Sequence, residues 1–356
     1  MWVLHVDMDQ FIAAVELLRH PELAGLPVVV GGAGDPTQRS VVATASYEAR
    51  EFGVHSGMPM RFALRKCPQA VFLPADNPAY EQASAEISEV LRSFDVVVEA
   101  LGWDEWFLGV ADADDGIGGQ VTGADGTAAE YPEQLATQIQ AAVLAATGLH
   151  CSIGIGDNTL RAKLATDFGK PAGMFRLTAE NWAAVMFDRP TSALWGIGTK
   201  TARKLAELGL HTVRELAGAD PAVLAARFGP STGPWLVALG RGEGRRTVIG
   251  TPWVARSHSR ETTFQQNLTT WAEIQRETAA LTQRVHQDVV ADGREVGRVA
   301  VKVRFAPFFT TIKSKKLPSP TSDPEQLTAA VLAVLEQFDH DRQVRLIGVR
   351  AEFVTT

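Results

Sequence analysis

The sequence predicts an α+β protein of several domains, on three observations. At 356 residues the chain is longer than one ordinary hydrophobic core serves, so two to four domains are expected. Strand and helix patterns mix in the first half, then give way between Thr191 and Leu239 to short helices separated by glycines. Past GRGEGRRTVIG, a linker-like stretch with four glycines and three arginines, the order becomes strand, helix, strand, strand, helix, strand.

The elements follow from local pattern. Val3 to Val6 reads as a buried strand ending at Asp7, and Ile12 to Leu18 as the helix after it. Pro27 to Gly32 is a short apolar strand followed by the turn-rich GGAGDPTQRS. VVATASYEAR reads as a strand running into a helix. Pro78 to Phe94 carries Tyr80, Ala83, Ile87 and Leu91 at helical spacing. Val96 to Ala100 and Trp106 to Val110 read as strands flanking the turn GWDE, and residues 111–128 as a Gly/Asp-rich loop. Pro132 to Ala146 is helical, and HCSIGIG is a further strand.

Composition narrows the class. With 46% hydrophobic and 21% charged residues the chain reads as soluble and globular. Cys67 and Cys151 have no CxxC or His-rich surroundings, which fits buried free thiols in a reducing compartment. No basic n-region with an apolar core opens the chain, and no apolar run approaches the ~18 residues of a membrane span. A cytoplasmic protein is expected. The net charge of −7 argues against a polyanion partner, but its distribution does not. Residues 245–356 hold 16 Lys and Arg against 12 Asp and Glu, whereas residues 1–244 hold 18 against 29.

Asp7 and Asp9 close a buried strand, and Asp104 and Glu105 lie in the turn between two others. Carboxylates so placed are costly unless paired or bound to a cation. Acids from two strand ends suit Mg²⁺, which takes a few carboxylates plus phosphate oxygens, and two such ions activate a hydroxyl and stabilise a leaving pyrophosphate. Either pair alone also reads as loop-edge acids facing water. Thr44, Tyr47 and Arg50 stand at i, i+3 and i+6, able to converge on a triphosphate, and Lys170 in DFGKPAG offers a further charge.

LWGIGTKTARKLAELG has a glycine-flanked turn before a helix start. The amides around Gly196 and Gly198 would face a nucleic-acid phosphate, with Lys200, Arg203 and Lys204 nearby. In RVAVKVRF, Val299, Val301, Val303 and Phe305 share one face, and Arg298, Lys302 and Arg304 the other. Arg256, His258 and Arg260 alternate likewise, so two strands with basic outer faces are expected to form a duplex-backbone platform.

Taken together these motifs resemble the Y-family DNA polymerases, most closely the DinB or DNA polymerase IV group. HVDMDQFIAAVE is similar to the first metal motif and GWDEWFLGV to the second. VVATASYEAREFGVHSGMP is similar to the fingers motif, GIGDNTLRAKLATDFGKPAG to the palm segment with a triphosphate lysine, and LWGIGTKTARKLAELG to the thumb hairpin. The resemblance spans nearly the whole chain. It implies a right-hand polymerase with a ferredoxin-like palm (1–18 and 77–166), small fingers (19–76), a helix-hairpin-helix thumb (167–240), a linker (241–252) and an α/β little finger (253–356).

It further implies that Asp7, Asp104 and Glu105, with the Met8 carbonyl, hold two Mg²⁺ ions, Mn²⁺ being the alternative, and that Asp9 stands behind them. Phe11, Ile12, Thr44, Tyr47, Arg50 and Lys170 would meet the nucleotide, and primer-template DNA and dNTPs would be the ligands of a monomer. Because the sequence stops at AEFVTT, without a clamp-docking peptide, weak or absent sliding-clamp binding is expected.

Three departures stand out. Gly102 replaces the usual serine, Trp103 and Trp106 replace smaller residues, and Ile12 replaces the aromatic beneath the incoming sugar. The last implies weakened exclusion of ribonucleotides. A catalytically inactive DNA-binding protein on the same fold would be expected to lack a metal carboxylate, and all three are present. A palm-like nucleotide cyclase would leave the GIG hairpin and the basic C-terminal strands without a purpose.

Overall fold

The computed structural model describes residues 1–110 and 131–354, so the loop expected at 111–128 lies outside the described residues. The chain divides into two compact units: Met1–Val30, Ala43–Ser56 and Gln69–Pro252 form one, and Gly31–Val42, Gly57–Pro68 and Trp253–Thr356 the other.

In the first unit, β1 (Trp2–Met8) leads into α1 (Phe11–Arg19). A small sheet of order β3-β2-β4 follows, from β2 (Val28–Val30), β3 (Thr44–Ala45) and β4 (Val71–Leu73), with α2 (Tyr47–Glu51) leaving β3 directly. Helix α3 (Met60–Lys66) falls in the second unit. Then come α4 (Asn77–Arg92), β5 (Val97–Ala100), β6 (Glu105–Val110), α5 (Tyr131–Thr147), β7 (Cys151–Gly156), α6 (Thr159–Gly169) and β8 (Met174–Leu177). The main sheet runs β5-β6-β1-β7-β8, with β1 antiparallel to both neighbours.

Alternation along β1 decides its two faces. Leu4, Val6 and Met8 enter the core with Tyr80, Ile87 and Leu91 of α4 and Ile139 and Val143 of α5. Val3, His5 and Asp7 face α6 instead: Val3 packs with Ala162, and His5 bonds Thr166. Helix α6 lies unusually close because β7 presents glycine there. A Cβ on Gly154 would stand 1.9 Å from the Ala162 carbonyl oxygen, and one on Gly156 2.5 Å from the Ala162 nitrogen.

Beyond β8, α7 (Trp182–Met186), α8 (Thr199–Ala206), α9 (Val213–Ala217), α10 (Pro221–Phe228) and α11 (Thr232–Gly240) are short helices around Leu205, Leu216, Leu224 and Leu236. Local caps set their starts: Thr212 and Glu215 form a capping box, and Asp220 caps α10 ahead of Pro221.

The second unit keeps the expected order: β9 (Ser257–Leu268), α12 (Trp271–Asp292), β10 (Val296–Phe305), β11 (Phe309–Thr321), α13 (Pro324–Leu335) and β12 (Val344–Phe353). Its antiparallel sheet runs β11-β10-β12-β9. Val299, Val301, Val303 and Phe305 pack against Leu281, Val285 and Val289 of α12 and Val331 and Val334 of α13, as the alternation predicts. Residues 31–42 join this unit through Arg39, whose amide donates to Gln265 Oε1 (2.7 Å) and whose guanidinium donates to Asn267 Oδ1 (2.7 Å) and the Phe264 carbonyl (3.2 Å).

One expectation is corrected here. Arg298 and Lys302 stand opposite Glu352 and Gly348 of β12, which in turn stand opposite Ser257 and Glu261 of β9. His258 and Arg260 are out of phase with that set and turn to the helix side. There His258 bonds Asp292 (3.0 Å), and Arg260 grips Asp288 with two bonds (2.7 and 2.6 Å). Side chains alternate with period two and ladder register fixes the phase between strands, so β9 and β10 do not form one basic platform. Arg256 is exposed just before β9.

Candidate active site

The β1–β6 ladder sets Asp7 directly opposite Glu105, two carboxylates side by side at adjacent strand ends. The Met8 amide donates to the Asp104 carbonyl at 2.9 Å, which fixes the GWDE turn beside them. Each carboxylate of the pair meets a lysine from the α6 segment: Lys170 Nζ is 2.8 Å from Asp7 Oδ1, and Lys163 Nζ is 2.7 Å from Glu105 Oε2. Burial pushes the Asp7 carboxyl up to about 7, against the pull of Lys170. Burial, then the neighbouring Glu105, also raises Asp104.

The donor chemistry suits a hard divalent cation: carboxylate oxygens in register, at a place that already draws positive charge. The cage is not closed, because among the described residues no three His, Cys, Asp or Glu side chains converge on one point. Asp104 Oδ1 lies 3.7 Å from where a Cβ on Gly102 would stand, so space does not demand the glycine; what it removes is a hydroxyl beside Asp104.

Asp9, two residues past Asp7, organises what surrounds the pair. Its Oδ1 accepts the hydroxyls of Tyr47 and Ser152, each at 2.9 Å, and its Oδ2 accepts the Ala172 amide at 2.7 Å. Asp9 therefore ties α2, β7 and the turn after Lys170 together. Gln10 adds a second tie. It holds a left-handed backbone (φ 44°) ahead of α1, and its Oε1 accepts the Tyr47 amide at 2.6 Å. Arg50 donates through Nε to the Ala45 carbonyl (2.9 Å) and lies 5.0 Å above the Tyr47 ring. Its terminal nitrogens have no partner among the described residues. Thr44 begins β3, three residues before Tyr47.

Ile12, in the first turn of α1, is half-buried against the main core. The Phe11 ring is 3% exposed inside that core, so its side chain offers no face to a nucleotide and only its backbone is left for the expected role. Met8 is likewise buried at its side chain, leaving only its backbone for the expected role. Trp106 turns away from the carboxylates into the core and donates to Ser88 Oγ (3.0 Å), while Trp103 packs on Tyr80. The two tryptophans are accommodated on the α4 side.

Sequence reasoning missed Lys163 and His5. His5 donates or accepts through Nδ1 at Thr166 Oγ1 (2.8 Å), and its Nε2 lies 3.4 Å from Lys163 Nζ. Burial, with the Lys163 and Lys170 charges, holds His5 well below the usual imidazole range, so the ring is neutral. Asp7, Glu105, Lys163, Asp167 and Lys170 line a cleft of about 290 Å³ whose far wall is Ser192 to Trp195.

Gly196, just past that wall, has φ +92°, and a Cβ there would stand 3.0 Å from the Trp235 ring. Gly198 caps α8 with no side chain, leaving its first amides open beside exposed Lys200. In the second unit, Lys302 pairs with Glu261 (2.8 Å) and Arg298 with Glu352 (3.4 Å), while Arg304 donates, among the described residues, only to Thr310. A richer cation cluster went unnoticed in the sequence. Arg39, Arg342 and Arg345 line a cleft of about 600 Å³ with Asn267, Gln343 and Phe308. None of these arginines has a carboxylate partner among the described residues. Burial and the nearby Arg39, Arg61 and Arg304 depress the Arg345 pKa, the mark of an uncompensated cluster. Phe308 is 64% exposed beneath Arg345.

Comparison with known proteins converges on one group. The impB/mucB/samB family matches residues 6–167, and its C-terminal domain matches residues 255–355. A DNA polymerase IV 2 of Mycobacterium tuberculosis is 50% identical, over 99% of this chain and 97% of its own. A DNA polymerase IV of Methanoculleus marisnigri is 39% identical, over 98% and 93%. Among solved structures, a Y-family DNA polymerase chimera built on Dbh matches with a TM-score of 0.86 at 25% identity, over 100% of both chains. The insertion ternary complex of Dbh DNA polymerase matches at 0.67 and 26%, over 99% of both.

Proposed function

The chain belongs to the Y-family DNA polymerases of the DinB group, and we propose that it transfers nucleotides with two divalent ions held by Asp7, Asp104, Glu105 and the Met8 carbonyl. It is a DNA-directed DNA polymerase of the translesion type, and a divalent cation belongs to that identity. Mg²⁺ is the ion the oxygen donors favour. When bound, such ions supply the positive charge that activates a primer 3′-hydroxyl and stabilises a leaving pyrophosphate.

The chain's own groups bind and orient. Thr44, Tyr47, Arg50 and Lys170 hold the triphosphate, with Arg50 pre-aimed by its bond to Ala45 and Tyr47 by Asp9 and Gln10. Lys170 exchanges Asp7 for a phosphate as the substrate enters. The carbons of Ile12 lie under the deoxyribose and, without an aromatic ring edge, leave room for a 2′-hydroxyl, so ribonucleotides are accepted unusually readily.

DNA lies along the open amides of α8 near Gly196 and Gly198, and along the basic residues of the C-terminal sheet. The arginine cleft around Arg39, Arg342 and Arg345 is the stronger phosphate site there, because Lys302 and Arg298 already face carboxylates.

The observation that carries this reading is the register of Asp7 against Glu105 beside Lys170. Primer extension with Mg²⁺, its loss in chelator and its loss in Asp104→Ala test it. Extension by Asp104→Ala at the wild-type rate overturns it.

A further inference from the structure

Lys163 inside α6 and Lys170 just past its end are seven residues apart, and the two ammoniums meet different surroundings. Lys170 belongs to the side where Asp9 gathers Tyr47 and the Ala172 turn. Lys163 belongs to the other end of the same cleft. There its Nζ is 2.7 Å from Glu105, 3.4 Å from His5 Nε2 and 5.6 Å from the centroid of the Trp195 ring. Trp195 immediately precedes the GIG turn and is 46% exposed.

This ammonium is held by its surroundings rather than left to sample solvent. The Lys163 side chain is only 16% exposed. His5, anchored through Nδ1 to Thr166, brings its Nε2 to 3.4 Å from Lys163 Nζ, and the Trp195 ring lies over the charge. Among the described residues Glu105 is its one ion-pair partner, with Asp7 and Asp104 close enough to feel its charge. With Glu105 given over to a divalent ion, Lys163 would keep His5 and Trp195 beside it and no ion pair among the described residues.

We propose that Lys163, steadied by His5 and Trp195, binds the phosphodiester nearest the primer 3′ end and so positions the attacking hydroxyl. The inference rests on the reading of Asp7, Asp104 and Glu105 given above. Two features of the cleft select this ligand. The triphosphate end is already supplied by Lys170, Tyr47 and Arg50, so a second cation beyond the carboxylates faces what lies across from the triphosphate. The wall beside Lys163 is Ser192 to Trp195, which runs into the turn proposed above to meet a DNA backbone. A hydroxyl placed at Asp7 and Glu105 carries its own nucleotide's 5′-phosphate one sugar away, within reach of a cation that already touches Glu105. Lys163 is thus a positioning residue rather than a group that reacts.

The test is a cycle between side chain and linkage. Primers carry either the natural linkage or an uncharged methylphosphonate at the last internucleotide position. Binding of each primer-template to the wild type, Lys163→Ala and Lys163→Arg is measured by fluorescence anisotropy with Ca²⁺ and no nucleotide, and single-nucleotide insertion is measured with Mg²⁺. Neutralising the linkage is expected to weaken wild-type insertion about tenfold, the size of one charge-assisted hydrogen bond. Lys163→Ala should show a similar loss on the natural primer and almost no further loss on the neutral one, whereas Lys163→Arg should regain sensitivity to the linkage. Additive losses in Lys163→Ala, in binding and insertion alike, would show that Lys163 only braces Glu105 and would overturn the proposal. Retained insertion by Asp104→Ala, run in parallel, would instead remove the metal assignment while leaving the binding cycle to be judged separately.

Discussion

The Tyr47 hydroxyl donates to Asp9 Oδ1 at 2.9 Å, and the other oxygen of the same carboxylate accepts the Ala172 amide at 2.7 Å. One side chain thus spaces the two arms proposed to hold the triphosphate. Asp9→Ala removes three hydrogen bonds to a buried carboxylate, each worth about 1.5–3 kcal/mol in such settings. The expected result is a rise in KM for dNTP of at least about tenfold, with a smaller fall in kcat. Steady-state single-nucleotide kinetics check it. An unchanged KM would mean that Tyr47 and Lys170 find their places without Asp9.

Sugar choice is expected to follow position 12. A ring edge against C2′ excludes a 2′-hydroxyl by a clash of ~3–4 kcal/mol, so its absence weakens discrimination by a factor of hundreds. Wild type should therefore insert ribonucleotides readily, and Ile12→Phe should restore their rejection with little effect on dNTP use. The ratio of kcat/KM for a dNTP and its matching rNTP, in both proteins, measures this. Strong rejection by wild type together with no change in the variant would show that another residue forms the gate.

Stability depends on the absence of a side chain at Gly154. A Cβ there meets the Ala162 carbonyl oxygen at 1.9 Å, and both are backbone-anchored, so α6 must lift from the sheet. Gly154→Ala should destabilise the first unit by at least about 2 kcal/mol. Thermal unfolding followed by circular dichroism should show a lowered midpoint, and an unaltered midpoint would contradict this packing.

Salt dependence should separate the two sets of basic residues in the C-terminal unit. Replacing Arg39, Arg342 and Arg345 by Gln should flatten the log–log salt slope of DNA binding by roughly 0.7–0.9 per lost contact. Replacing Arg298 and Lys302 should flatten it less, because Glu352 and Glu261 already neutralise them. Anisotropy titrations across a salt series decide the order, and equal flattening by the two sets would refute it.

Much of this architecture is legible in the sequence, because alternation in β1 and helical spacing in α4 and α12 are local signals. The positions of Asp7 and Glu105 at strand ends were legible for the same reason. The mistaken joint platform of β9 and β10 shows where that ends. Parity within a strand is written in the sequence, but the phase between strands is set by register, and Arg260 lands against Asp288 instead. Lys163 carried a usable signal, a second lysine seven residues before Lys170 in the same motif. The Gln10–Tyr47 bond and the cluster of Arg39 with Arg345 carried none, since each joins segments far apart in the chain.

Single-turnover primer extension by Asp7→Asn, beside its primer-template affinity, isolates the carboxylate site. The substitution keeps the size of the side chain and removes the charge that faces Glu105 and Lys170. Expected is loss of nucleotide addition by at least about a thousandfold, or roughly 4 kcal/mol in the barrier, with DNA affinity within a fewfold of wild type. Extension by Asp7→Asn at a rate close to wild type would contradict a reaction centred on Asp7.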